Sequence, residues 1–187
     1  MKFFAITPDN ATIDKLIDWL PELKSRGATH LYLRLPAAGR AIHRLIDAAT
    51  LAGIAPIVPY AIYMHDMLST CGVHYKSTEI SLLARHLPVK PRLITASCHC
   101  SVDARRALQA GAHYAYVSPV YEPLSKHGDV RPLFPGDELQ KLVMMHGERI
   151  VLLGGMTLQR MKKLSEDFKC DFSVAGITLF FSDFTGL

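Results

Sequence analysis

The segment from Tyr114 to Lys126, Y-A-Y-V-S-P-V-Y-E-P-L-S-K, runs from alternating apolar residues into a proline-punctuated loop that carries Ser118, Ser125 and Lys126. Hydroxyls and an ammonium delivered by the end of a strand suit an anion, because they offer hydrogen bonds and positive charge together. A second stretch, Ile150 to Thr157 (I-V-L-L-G-G-M-T), is an apolar strand that enters Gly154-Gly155 and then a threonine placed to cap a helix starting near Leu158. Two glycines let backbone approach a ligand closely, and the unpaired N–H groups of a helix start bind phosphate. Alone, the lysine would be an ordinary solvated side chain and the glycine pair an ordinary tight turn.

The elements that must position these groups follow from periodicity. Lys2 to Thr7 is a short apolar strand, and Asn10 to Lys24 places Ile13, Leu16, Ile17, Leu20 and Leu23 at helical spacing. Strands are predicted at 29–35, 54–58, 72–75, 92–97, from Tyr114 onward, at 149–153 and at 171–177. Helices are predicted at 41–51, 61–70, 79–86, 102–110, 137–145 and 157–168. Eight strands alternating with helices demand a parallel sheet with right-handed crossovers, and eight units close into a compact (β/α)₈ TIM barrel. The chain has 187 residues, so the helices after strands four and eight are expected to be abbreviated. A doubly wound open sheet is the alternative. Nothing resembling a linker, repeat or low-complexity segment interrupts the chain, which is read as one domain over 1–187.

Composition narrows the function. Hydrophobic residues make up 49% of the chain and the mean hydropathy is +0.15, which excludes a disordered protein. The formal net charge of +4 comes from scattered basic residues, which suits small anionic substrates and lacks the basic stripe of a nucleic-acid binder. No apolar run reaches the roughly 18 residues of a membrane span, and the opening Met1 to Ile6 is too short for a signal peptide, so a cytoplasmic protein is expected. The four cysteines lack C-x-x-C spacing and are read as reduced thiols. Cys98-His99-Cys100 lies near a strand end, where neighbouring side chains diverge, so it is not read as a metal site.

In a closed barrel, function gathers at the C-terminal ends of the strands. That rule assembles Arg34, Pro59-Tyr60, His74, Ser97, His99, Ser118, Lys126, Gly154-Gly155 and Ile177-Thr178 at one rim. The turn after strand seven and the end of strand eight are a common phosphate site in such barrels.

In motif order and over most of its length the chain resembles the thiamine phosphate synthases and their sister group, the TenI-like thiazole tautomerases. L-Y-L-R-L at 31–35 resembles Q-x-R-x-K, G-V-H-Y-K-S-T-E at 72–79 resembles G-V-H-L-G-Q-x-D, and T-A-S-C-H at 95–99 resembles G-x-S-x-H. The segment 111–126 resembles G-A-D-Y-x-x-x-G-P-V-F-x-T-x-T-K, L-L-G-G-M at 152–156 resembles A-I-G-G-I, and V-A-G-I-T at 174–178 resembles the last strand end. The resemblance implies a transferase that joins an aminopyrimidine methyl pyrophosphate to a thiazole phosphate and releases pyrophosphate. It assigns Arg34, Ser97, His99 and Lys126 to the reacting centre. Arg34 and Lys126 would clamp pyrophosphate, and Ser97 and Ser125 would donate hydrogen bonds to it. Ser118, Ser125, Gly154, Gly155, Ile177 and Thr178 would bind substrate, and Glu79 would help hold Mg²⁺. A homodimer is a compatible assembly.

The departures fall in one region. Tyr32 stands at the glutamine, Pro36 at the lysine, Pro59-Tyr60 at an Asn-Asp pair, and Pro123 at a threonine. One magnesium carboxylate is thereby lost, which weakens the expected metal site. A tautomerase would need no metal, only a base beside an anchored thiazole; the usual histidine on strand six is Pro119 here, leaving His74, His99 or His127 for that role. A barrel that binds a thiamine-related phosphate without turning it over is the third reading.

Overall fold

A computed structural model describes residues 1–35, 39–122 and 131–184. Eight parallel strands close on themselves in sequence order, which excludes the open sheet. They are β1 (Phe3–Ile6), β2 (His30–Tyr32), β3 (Ala55–Pro59), β4 (Gly72–Tyr75), β5 (Ile94–Cys98), β6 (Tyr114–Val117), β7 (Ile150–Leu152) and β8 (Ser173–Gly176). The helices are α1 (Ile13–Ser25), α2 (Arg40–Leu51), α3 (Tyr60–Asp66), α4 (Ser101–Gln109), α5 (Gly136–His146), α6 (Leu158–Phe168) and α7 (Thr178–Phe181).

The two expected economies are present. After β4 the crossover is a 3-10 helix, Ser77–Ala84, and after β8 it is the four-residue α7. Several ends move inward from the periodicity. α1 begins at Ile13, after Thr12, and α3 stops at Asp66, because Met67 takes a left-handed conformation and ends the helix. β2 and β6 are shorter than their apolar runs; directly after β2 the Arg34 amide turns back toward the Tyr32 carbonyl at 3.1 Å. Pro56 is tolerated in β3 because the ladder to β4 begins only at Ile57–Gly72, so its missing N–H lies where that strand offers no partner.

Alternation sorts the side chains. Outward residues of the strands join the helices in the larger core, which includes Leu16, Leu31, Leu45, Val73, Val117, Leu142 and Phe180. Inward residues Phe4, Ile6, Tyr32, Ile57, Tyr116, Val151 and Ala175 form a second cluster inside the cylinder. Phe4 stacks on His30 at 4.3 Å and meets Tyr114 and Tyr116 edge-on. These rings fill the barrel from below and leave chemistry to its upper rim.

No described helix is long and apolar enough to cross a membrane.

Candidate active site at the barrel mouth

Above the aromatic plug the inward positions turn polar. His74 of β4 is 2% exposed, with Tyr32 against it at 4.3 Å between ring centroids and Tyr116 at 5.0 Å. Its Nδ1 lies 2.8 Å from Thr95 Oγ1, its Nε2 lies 2.8 Å from Ser97 Oγ, and the Thr95 hydroxyl is also 3.3 Å from the Val73 carbonyl. With Thr95 donating to Val73, Nδ1–H donates to Thr95, and Nε2 accepts the Ser97 proton. Ser97, half-buried at the end of β5, then presents lone pairs to the mouth. Burial also removes His74 as a base: with the help of Lys76 it pushes the imidazole down to about 3.

That depression carries a prediction. The unfolded histidine binds a proton near pH 6.5 and the folded one does not until about 3, so stability contributed at neutral pH is lost as pH falls. From pH 7 to 4.5, His74 should remove about 2 to 3 kcal/mol, and His30, lowered by burial to about 4, a similar amount. Urea unfolding across that range should show a shallower acid loss in His74→Gln, which keeps polar partners for Thr95 and Ser97. An identical slope would contradict the assignment.

The second histidine is built differently. His99 follows β5, and its Nδ1 donates to the Ser118 carbonyl at 2.8 Å, which leaves Nε2 as the acceptor facing Arg131 Nη1 at 3.3 Å. Ser118 is 6% exposed, with its hydroxyl 3.4 Å from the same Nδ1. His99 is therefore an exposed imidazole with a fixed tautomer and its lone pair directed at Arg131.

Arg34 stands just beyond β2. Its amide donates to Thr7 Oγ1 at 2.9 Å, and its Nη2 pairs with Asp9 Oδ1 at 2.7 Å. Its Nε is buried with no hydrogen-bond partner among the described residues. A guanidinium N–H seldom stays unpaired when buried, so Arg34 holds an unmet donor just behind the wall of the mouth. A cavity of about 420 Å³ opens here between Asp9, Tyr32, Arg34, Pro59, Ile62 and Lys76. Burial pushes the Tyr32 phenol up to about 12, so it stays neutral.

Glu79, expected at a metal, closes a reciprocal turn in which its Oε2 accepts from the Lys76 amide at 2.8 Å and its own amide donates to the Lys76 carbonyl at 2.8 Å. Pro59 precedes α3, and Tyr60 stacks on Tyr75 at 4.7 Å in place of a carboxylate. Among the described residues no three His, Cys, Asp or Glu side chains converge as a metal site. This donor set does not fit a protein-held Mg²⁺.

The glycine turn lies against the chain leaving β6. Val120 donates to Leu153 O at 2.9 Å and Tyr121 to Gly154 O at 3.2 Å, so the two loops run together past the strands. Gly154 and Gly155 have φ of +101° and +58°. A Cβ on Gly154 would meet Pro119 Cα at 2.9 Å, and one on Gly155 would meet Glu122 O at 2.3 Å. Thr157 caps α6 by accepting from the Arg160 amide at 3.2 Å, as its position suggested. Arg160 also reaches the Gly155 carbonyl at 2.5 Å and lies over the Tyr121 ring at 4.6 Å. The first-turn amides of α6 thus open beside a positive charge. Ile177 packs partly buried against the inner cluster, while the exposed Thr178 lines an outer groove of about 660 Å³ between α6 and α7. Ser125, Lys126 and His127 fall outside the described residues.

Asp9, Lys76, Arg131 and Arg160 were not among the expected site residues. Lys76 had a signal: it directly follows the end of β4. The pairing of Asp9 with Arg34 had none, because it joins two loops.

Fold and rim together define a closed parallel barrel with polar and cationic side chains gathered at one mouth. Residues 3–178 match the family described as thiamine monophosphate synthase, and the chain belongs to that family. Among solved structures, it is similar to the thiamine phosphate pyrophosphorylase of Pyrococcus furiosus, with 19% identity over 95% of this chain and 85% of that one and a TM-score of 0.67. The enzyme of the same name from Bacteroides thetaiotaomicron gives 17% identity over 98% and 86%, with a TM-score of 0.63. At these identities the likeness shows the fold. No curated protein matches the sequence.

Proposed function

We propose that the protein is a thiamine phosphate synthase-type transferase, joining an aminopyrimidine methyl pyrophosphate to a thiazole phosphate. In that reaction the bond from the pyrimidine methylene to the bridging oxygen breaks, and pyrophosphate leaves with the electron pair. The thiazole nitrogen then supplies its lone pair to the methylene, forming the C–N bond. The chain's contribution is placement and charge. Arg34, whose guanidinium lines the cavity, meets the charge that develops on the leaving group, where a preorganised donor is most effective. The Gly154-Gly155 turn and the start of α6 hold the thiazole phosphate. Ser97, with its proton turned to His74, offers an acceptor to an amino group on the pyrimidine. The observation that carries the reading is the Arg34 guanidinium on the wall of a cavity at the mouth of a barrel of this family, its Nε without a partner among the described residues. The two substrates should together release pyrophosphate, and release should stop when either is omitted; thiazole phosphate alone giving an isomer would favour the other reading.

That second reading, a TenI-like tautomerase, is favoured by His99, whose tautomer is fixed with Nε2 unprotonated at the rim. A base so placed can take a proton from an anchored thiazole carbon and return it elsewhere on the ring.

The Asp9–Arg34 pair makes a further prediction for either reading. Asp9 is 67% exposed and competes with substrate for the guanidinium, so Asp9→Asn should tighten binding of inorganic pyrophosphate about two- to five-fold, the range of an exposed ion pair. Weaker binding in a calorimetric titration would mean that Asp9 orients Arg34 and does not compete.

A further inference from the structure

We propose that Lys76 takes the place of the divalent cation in this chain, so that Arg34 and Lys76 form a metal-independent site for a pyrophosphate group. The proposal rests on the reading of the mouth as the pyrophosphate site and concerns how charge is balanced there.

Three observations converge on one cavity. First, the carboxylates that would hold a metal are missing or committed: Pro59-Tyr60 supplies none, Tyr60 is stacked on Tyr75, and the Glu79 carboxylate caps the turn at Lys76. Second, a lysine appears where the resembling motif G-V-H-L-G-Q-x-D has glycine, while the lysine of Q-x-R-x-K is Pro36 here. A glycine-to-lysine exchange at that position adds a side chain and a charge to the wall of the site. Third, Lys76, the residue between β4 and the 3-10 helix, lines the same cavity of about 420 Å³ as Arg34, Tyr32 and Pro59. Among the described residues no ion pair holds its ammonium, and the Arg34 Nε has no hydrogen-bond partner. The cavity thus offers two cationic donors and one carboxylate, Asp9, that already belongs to Arg34.

The chemistry is consistent. Mg²⁺ retains most of its waters and needs carboxylates to be held at a protein wall. An ammonium needs no ligands, carries three donors on a flexible stem, and can follow the leaving group as its charge grows. A guanidinium and an ammonium together bind the uncomplexed anion best, because a bound divalent ion would neutralise the charge they recognise.

The test uses the full chain and inorganic pyrophosphate, titrated calorimetrically in chelator and again with Mg²⁺. The parent should bind in chelator, with added Mg²⁺ giving no gain. Lys76→Met should weaken binding at least about tenfold, the loss expected for a charged hydrogen bond, and Lys76→Arg should retain most of it. Lys76 is exposed, so these variants should unfold in urea as the parent does. Binding that needs Mg²⁺, or equal binding by Lys76→Met, overturns the proposal and leaves the pyrophosphate site standing. No binding under either condition overturns both.

Discussion

Gly155→Ala should unfold about 2 to 4 kcal/mol more easily than the parent and lose the phosphate site with it. Two effects add. At φ +58° an alanine pays about 1 to 2 kcal/mol for the left-handed conformation. The new methyl would also stand 2.3 Å from Glu122 O and 2.9 Å from Tyr121 Cβ, so the chain leaving β6 must move. That chain carries Ser118 at its start, so the displacement reaches the hydroxyl beside His99. Gly27→Ala is the matched control, with φ +81° and nothing within 4 Å of the added carbon. It should show the conformational cost alone. Urea unfolding of both variants separates the contributions; equal losses would mean that the close approach at Gly155 is unimportant.

Arg34→Ala should lower turnover by about 100- to 1000-fold, the range for removing one preorganised donor to a developing negative charge. The fold should survive, because the ion pair with Asp9 is largely exposed and is worth under about 1 kcal/mol. Arg34→Lys should recover only part of the loss, since an ammonium cannot reproduce the geometry of the guanidinium fork. Steady-state assay of pyrophosphate release checks this, and a loss within about threefold would remove Arg34 from the reacting centre.

The barrel was legible because each βα unit leaves its own periodic mark, and eight of them in strict alternation permit few topologies. The same regularity located Gly154-Gly155 and the Thr157 cap, since a turn before a helix start has a local signature. What the chain does not announce is side-chain partnership across strands. Ser97 and His74 are 23 positions apart, and only the parallel register, with His74 opposite Thr95, brings their polar atoms together. The residue types at 74, 95 and 97 allow a hydroxyl donor, but the shared network determines which way each proton points. Glu79 shows the converse: its motif position suggests a metal, whereas its place at the start of a 3-10 helix gives its carboxylate a backbone amide to satisfy. Lys76 follows the end of β4, and an exposed lysine at a strand end resembles any other until a cavity is found beside it.

Pyrophosphate release from the aminopyrimidine methyl pyrophosphate and the thiazole phosphate, followed for the parent and for Arg34→Ala side by side, tests the central claim most directly. The account predicts release that requires both substrates and is nearly abolished in the variant. No release by the parent, under conditions where each substrate binds saturably, would show that this mouth holds its anions without joining them.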